Sequence, residues 1–511
     1  MRNLSKFKIL SFRQCPKRLW LELHQPELRD DSASEASFAI GHQVGDIARQ
    51  IYDPEGKGTL ISVDELGFKG AFARTAELLA SSNEPVFEAA FSIPGGLALA
   101  DVMLLAGNGG NGRSWRMVEV KSSTSVKDYH HDDIAFQAYL ARRNGVDLKA
   151  VALAHIDNSF VYPGGGDYRG LLNEVDLTEE AFSRSAEVES WLHDAHAVAV
   201  LDQSPEIETG PQCGHPFHCP FAFHCNLGKS DMPEADYPLA CLPRFSGARL
   251  EKAEELGITD MREVPDELLT DIQAWVKKHT VEDSVYFDAE GAASVLASHP
   301  LPAYFLDFET IAYAVPVWAG TRPYQKIPFQ YSLHVLADDG TLSHHGFLDL
   351  SGNDPSRALA ESLVAHCGTS RPVFAYNAGF ECGRIKELAD RFTDLADALW
   401  AINDRMVDLR PIAAEHYYHP EMRGSWSLKA VVPALLPDLS YDDLDGVQNG
   451  EDAGAAYAEV IAPETPADRK SELETQMLAY CHLDTLALVR MWQVFSGSAG
   501  QDQSVDGICP A

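Results

Sequence analysis

Leu97-Ala-Leu-Ala-Asp101-Val-Met-Leu-Leu105, then Gly107-Asn-Gly-Gly-Asn-Gly112, then Trp115-Arg-Met-Val-Glu119-Val-Lys121 follow one another along the chain. Two apolar runs joined by a glycine-rich stretch read as a β-hairpin. Centring the hairpin on the glycines sets Asp101 opposite Glu119, where paired residues hold their Cβ atoms roughly 5 Å apart. Two carboxylates at that separation can share one ion. Lys121 falls on the same strand face as Glu119, because side chains alternate with period two. A lysine there can orient a water or stabilise charge at phosphorus.

A second acidic pair lies far downstream in Ala303-Tyr-Phe-Leu-Asp307-Phe-Glu309-Thr310. This is a hydrophobic strand with acids at i and i+2, hence on one face. Phe374-Ala-Tyr-Asn377-Ala-Gly-Phe380-Glu381 and Tyr480-Cys-His-Leu-Asp484 follow. In a helix the i,i+4 spacing puts Tyr480 and Asp484 on the same face. Convergent carboxylates with few other groups suit two-metal phosphodiester chemistry, in which ions roughly 4 Å apart clamp the attacking and leaving oxygens.

Cysteines bracket the first acidic set. Cys15 stands in Ser11-Phe-Arg-Gln-Cys15-Pro-Lys-Arg-Leu-Trp20, and Cys213, Cys219 and Cys225 in Cys213-Gly-His-Pro-Phe-His-Cys219-Pro-Phe-Ala-Phe-His-Cys225. Zinc is one candidate, since His215, His218 and His224 are interleaved with them and Cys/His mixtures are ordinary zinc ligands. Disulfides are not expected: the nine cysteines are an odd number and no secretory signal is visible. Cys241, Cys367, Cys382, Cys481 and Cys509 read as ordinary core or surface thiols.

Asp101 followed by Glu119-x-Lys121 resembles the core of the PD-(D/E)xK nuclease superfamily. Glu88, in Phe87-Glu-Ala-Ala-Phe91, matches an additional acidic position of some members, and Gln137 and Tyr139 resemble their Gln/Tyr motif on the following helix. The resemblance implies a metal held by Glu88, Asp101, Glu119 and Val120, with Lys121 and Gln137 serving catalysis. One cysteine before this core and three after it resemble the iron–sulfur RecB-type nucleases, including the CRISPR-associated ones. By that resemblance Cys15, Cys213, Cys219 and Cys225 ligate a [4Fe-4S] cluster, with zinc as the alternative. Two features depart from the pattern. Five residues separate Cys213 from Cys219 where many members have two, and Gly41-His-Gln-Val-Gly45 puts glycine where many carry a ligating histidine, His42 being on another helix face.

The downstream motifs resemble those of the DEDD exonucleases, which have a ribonuclease H-like fold. The resemblance implies Mg²⁺ or Mn²⁺ held by Asp307, Glu309, Glu381 and Asp484, with Tyr480 orienting the attacking water. Glu381 occupies a place where aspartate is usual, which makes this half the candidate silent partner.

At 511 residues and 45% hydrophobic content the chain can build several sizeable cores. The expected class is α/β: a restriction-endonuclease-like nuclease domain with the four-cysteine metal cluster over 1–230, a helical connector over 231–299, a ribonuclease H-like domain over 300–495 and a flexible tail over 496–511. No run of 18 or more apolar residues indicates a membrane span, and a cytoplasmic location is expected. The formal charge of −35 opposes the basic footprint usual for nucleic-acid binders. Metals would offset part of it, as would Arg2, Lys6, Lys8, Arg13, Lys17 and Arg18, which read either as a strand-entry patch or as a solvated face.

Three further stretches stay open. Lys429, after Gly424-Ser-Trp-Ser-Leu, is either a phosphate contact or part of a solvated helix face. Val407-Asp408-Leu409 offers another acid. Trp318, Arg322, Tyr324 and Gln325 suit either a base-stacking loop or a loop packed on its own domain. The expected function is metal-dependent hydrolysis of nucleic acid, preferably single-stranded DNA ends, with RNA open and a helicase or similar protein as partner. The alternatives are one active domain with the other binding, or a non-catalytic acidic scaffold.

Overall fold

The computed structural model describes residues 3–30, 35–109, 112–227, 235–442 and 444–498. Arg2, Gly110 and Asn111 of the hairpin turn, the expected boundary at 230/231, Cys509 and the tail from 499 onward lie outside the described residues. The chain is mixed α/β and divides into two compact units, Met1–Pro233 with Tyr313–Tyr324, and Glu234–Ala312 with Gln325–Ala511. Among the described residues, no helix is long and apolar enough to cross a membrane.

The first unit is built on a seven-stranded sheet of β1 (Leu4–Ser5), β2 (Thr59–Leu60), β3 (Val86–Ile93), β4 (Gly96–Gly109), β5 (Gly112–Lys121), β6 (Asp147–Ile156) and β7 (Leu172–Asp176), in the order β2-β3-β4-β5-β6-β7 with β1 also paired to β4. Its helices are α1 (Lys6–Gln14), α2 (Pro16–His24), α3 (Glu35–Tyr52), α4 (Val63–Ser81), α5 (Asp128–Arg143), α6 (Thr178–Ser183), α7 (Ser185–Ala199) and α8 (Ala222–Leu227). β3, β4 and β5 form an antiparallel meander, and α5 carries the chain back so that β6 runs parallel to β5. Alternation along β5 explains the burial. Trp115 and Met117 face the main core with Phe91, Met103, Phe136 and Leu140, while Val118 packs on the opposite side with Phe87 and Val102.

The segment 313–324 corrects the base-stacking expectation. Ala314 and Val315 are buried with Val44, Ile47, Ile156 and Leu171 of the first unit. Thr321 O accepts from Tyr162 N at 2.9 Å, and Tyr324 donates its hydroxyl to Ser122 O at 2.5 Å. Trp318 is buried, 8% exposed, so its ring is not presented to a base. The other expectation, a loop packed on its own domain, is met by Gln325, which bonds Glu387 of the second unit at 3.4 Å, whereas the apolar positions of 313–324 complete the first unit's core.

In the second unit five strands, β9 (Ala303–Ile311), β10 (Ile327–Leu336), β11 (Leu342–Leu348), β12 (Val373–Ala375) and β13 (Met406–Asp408), lie in the order β11-β10-β9-β12-β13. The first three are antiparallel, and β12 and β13 run parallel to β9. A small two-stranded sheet pairs β8 (Tyr286–Phe287) with β14 (Tyr417–Tyr418). The helices are α9 (Ala248–Glu255), α10 (Asp271–Val281), α11 (Ala289–Leu296), α12 (Ser356–His366), α13 (Gly379–Arg391), α14 (Ala396–Asn403), α15 (Leu409–His416), α16 (Leu428–Leu435), α17 (Gly450–Ile461) and α18 (Ala467–Phe495). Leu306, Phe308, Tyr331 and Leu333 meet α12 to α14 in one core. α18 packs on β9 and β10.

Candidate functional site

In the first unit the β4–β5 ladder pairs Val102 with Val118 and Met103 with Met117, a register that carries Asp101 to the level of Glu119. There Asp101 Oδ2 accepts from Val120 N at 2.7 Å. Lys121 Nζ bridges Glu119 Oε1 and Asp133 Oδ2, both at 2.6 Å. Asp133, on α5, is held by Gln137 Nε2 at 2.8 Å. Lys6, at the start of α1, reaches Glu119 Oε1 at 2.7 Å. Glu88 sits opposite Asp101, between the pairs Phe87–Val102 and Ala89–Ala100, in a left-handed conformation with φ of 54°. Tyr139 points away from this cluster and donates to Glu189 at 2.6 Å.

Burial and charge set the protonation. Burial, then the Asp101 charge, pushes Glu119 up to about 7, and burial raises Asp101 and Glu88. Burial also pushes on Asp133, yet Lys121 and Lys6 hold it well below the usual carboxylate range. Burial alone would lower Lys6 and Lys121, but Asp133 and Glu119 more than offset it and raise both. Glu119 Oε2 is buried with no partner, an orphaned acceptor aimed into the cluster, which fits a cation better than a closed ion-pair network. Gly45 on α3 has open space where a Cβ would be, and His42 is exposed.

Four of the N-terminal cations, Lys6, Lys8, Arg13 and Arg18, are engaged by carboxylates of the first unit. Lys6 is buried in the cluster, Lys8 and Arg18 bind Glu22 at 2.8 and 2.9 Å, and Arg13 binds Asp132 at 2.9 Å. Cys15, Cys213, Cys219 and Cys225 line one small hollow together with Arg18 and Lys17. Cys15 stands at the N-terminus of α2, and burial raises the thiols of Cys219 and Cys225. His215, His218 and His224 are not among the residues lining that hollow.

In the second unit, Asp307 and Glu309 project from β9, Glu381 from the first turn of α13, and Tyr480 and Asp484 from α18. Each of these acids is buried or held in buried company: Glu309 is 6% exposed, Glu381 3% and Asp484 6%. Burial, followed by Asp484, Glu309 and Glu381, raises Asp307 well above the carboxylate range. Burial and then Asp484 push Glu309 up to about 8, against Lys429. Burial takes Glu381 up to about 7 and Asp484 to about 6, the latter restrained by bonds from Tyr441 and Tyr480. The Tyr441 hydroxyl donates to Asp484 Oδ1 at 2.6 Å. One ligand atom each of Asp307, Glu309 and Cys481 lies within 4.8 Å of the others. Glu381 Oε2 is buried and unpartnered. A buried cluster of four acids has its charge relieved by protons or by divalent cations.

Several members escaped sequence reasoning. Asp133 sits one helical turn before Gln137, a signal the sequence does carry. Tyr441 and Cys481 carry none, and Cys481 is not an ordinary core thiol, being against Asp307. Lys429 lies 5.7 Å from the Tyr480 ring and 5.9 Å from that of Tyr441 and donates to Gln448 O, so it belongs to the site. Asp408 is a further acid beside the cluster, its charge helping burial to raise Glu381; it also caps α15, accepting from Arg410 N at 2.9 Å, and fixes Asn377 N at 2.8 Å. That bond supports the left-handed turn at Asn377, φ 64°, which leads into α13 and Glu381.

Residues 304–427 match a family described as a domain of unknown function (DUF2779). That match contains Asp307, Glu309 and Glu381 and ends before Tyr480 and Asp484. No curated protein matches the chain. Among solved structures, the crystal structure of SSO0001 is similar over 44% of this chain and 86% of its own, at 15% identity and a TM-score of 0.24, too slight a likeness to support an argument.

Proposed function

We propose that the chain is a metal-dependent nucleic-acid hydrolase with one carboxylate centre in each unit. The observation that carries this reading is the convergence of Asp307, Glu309, Glu381 and Asp484 from a strand and two helices into one buried cluster with Tyr480 and Lys429 beside it. Mg²⁺ or Mn²⁺ held there would polarise the scissile phosphate. Tyr480 orients the attacking water, and Lys429 offsets charge on the substrate. The strand order β11-β10-β9-β12-β13, with the first acids on the central strand, supports a ribonuclease H-like second unit. In the first unit Asp101, Glu119 and Glu88, with the Val120 backbone, hold the cation, Lys121 faces the phosphate, and Gln137 with Asp133 fixes Lys121.

Cys15, Cys213, Cys219 and Cys225 suit a [4Fe-4S] cluster that ties α2 to the C-terminal end of the first unit. Tetrahedral zinc, with bonds of about 2.3 Å, brings sulfurs to roughly 4 Å from one another. Among the described residues, the groups with ligand atoms within 4.8 Å include neither these four nor Glu88, Asp101 and Glu119, and zinc stays the alternative at the cysteines. Single-stranded DNA ends are the proposed substrate, delivered by a helicase or comparable partner.

A second reading, in which only the second unit cuts, draws on one contact. Lys6 already neutralises Glu119 at 2.7 Å, so the first centre needs a cation less. The test is Mn²⁺-dependent degradation of 5′- and 3′-labelled single-stranded DNA and RNA by anaerobically purified protein, with Lys121→Ala and Asp307→Ala. Loss of a different activity in each variant supports two centres. Loss in Asp307→Ala alone supports the second reading, and no cleavage by iron-loaded parent protein refutes both.

A further inference from the structure

We propose that His334, His344 and His482 form a transition-metal site matched to Zn²⁺, separate from the carboxylate cluster of the same unit. His334 and His344 are direct cross-strand partners on β10 and β11, and His482 comes from α18. One nitrogen of each ring lies within 4.8 Å of one from each other ring. The ring centroids are 4.6, 4.7 and 4.5 Å apart. Tetrahedral zinc with bonds of about 2.0–2.1 Å sets its nitrogens roughly 3.4 Å apart, so small rotations about the side-chain torsions close the site.

The surroundings are those of ligating imidazoles. Bound histidines almost always hydrogen-bond through their other nitrogen, which fixes ring orientation. Here Thr485 Oγ1 is 2.8 Å from His334 Nδ1, and Ser332 Oγ is 2.9 Å from His344 Nε2. The two hydroxyls are themselves joined at 2.6 Å. Each of these two rings keeps its second nitrogen as a donor.

Donor chemistry separates the two sites. Imidazole suits zinc and its neighbours, whereas carboxylates suit magnesium and manganese. His482 is about 200° around the helix from both Tyr480 and Asp484, so α18 presents the acid cluster and the histidines on opposite faces. His344 is exposed, which leaves a fourth coordination position reachable by water. A metal there ties β10, β11 and α18 together and so steadies the helix that carries Tyr480 and Asp484.

The experiment is Zn²⁺ counting by mass spectrometry on chelator-stripped, re-dialysed protein, together with thermal midpoints with and without Zn²⁺. The proteins are the parent, His344→Ala, His344→Gln and Asp307→Asn. The expected result is one Zn²⁺ fewer per chain and no Zn²⁺-induced rise in midpoint for both His344 variants, with Asp307→Asn behaving as the parent. Co²⁺ in the same site gives d–d bands lost in His344→Ala, without the thiolate charge-transfer band that the cysteine site would contribute. Equal Zn²⁺ content in the parent and the His344 variants overturns the proposal, as does loss in Asp307→Asn alone.

Discussion

Replacing Glu309 with glutamine should make the metal-free protein more stable. Glu309 is 6% exposed, and burial and Asp484 raise it from 4.5 to about 8. A group raised in the folded state stabilises fully below its unfolded value, and that contribution drains away as the pH rises to the folded one. The loss therefore runs from about pH 4.5 to about pH 8. A rise of this size corresponds to about 5 kcal/mol, an upper limit because neighbours titrating with it share the protons. About 2 kcal/mol is the gain expected from one neutral replacement. A domain of this size then gains about 4–8 °C in midpoint. The assay is thermal unfolding in EDTA across that pH range. The variant should match the parent near pH 4.5 and exceed it progressively towards pH 8. Saturating Mn²⁺ should reverse the order at pH 8, since ligand at 100 times its Kd contributes about 2.7 kcal/mol to the protein that binds it. Equal midpoints at pH 8 in EDTA would refute the crowding of charge on which the site rests.

Other outcomes follow from the same geometry. Tyr441→Phe removes a bond worth about 1.5–3 kcal/mol to a charged acceptor, so Asp484 is freed to rise and the acid limb of the pH–rate profile should move up by about one unit. Cys219→Ser should abolish the iron content of anaerobically purified protein and its brown colour, read by iron assay and visible absorbance. Val315→Asp puts a charge among Val44, Ile156 and Leu171 and should cost more than about 3 kcal/mol, seen as faster hydrogen exchange in the first unit's strands and not in β9. Glu381→Gln should lower activity of the second centre at a fixed Mn²⁺ concentration and raise its Mn²⁺ requirement, as measured by metal titration of cleavage.

Local pattern explains what the sequence made legible. Asp307 and Glu309 alternate on a strand, Tyr480 and Asp484 share a helix face, and the glycines around residue 109 place the β4–β5 turn, although it is a bulge between Leu105 and Gly107 that shifts the ladder by one residue and brings Asp101 level with Glu119. Each is a statement about neighbours in the chain. Lys6, Lys429, Tyr441 and the histidines at 334, 344 and 482 join their sites across large sequence separations, where periodicity carries no information. The N-terminal cations illustrate the same limit of local pattern: Lys8, Arg13 and Arg18 read as a cluster of free charges until their partners Glu22 and Asp132 are known.

The segment 313–324 sets a timetable for synthesis. The first unit's own continuous stretch ends at Pro233, yet its core waits for Ala314 and Val315 and its hydrogen bonds for Thr321 and Tyr324. The residues from 234 to 324 must emerge in between, about 5–18 s at bacterial-like elongation rates of roughly 5–20 residues per second. A gene cut at residue 233 would therefore yield a first unit lacking part of its interior, and fragments intended to isolate either half should be joined through a linker that retains 313–324 with the first.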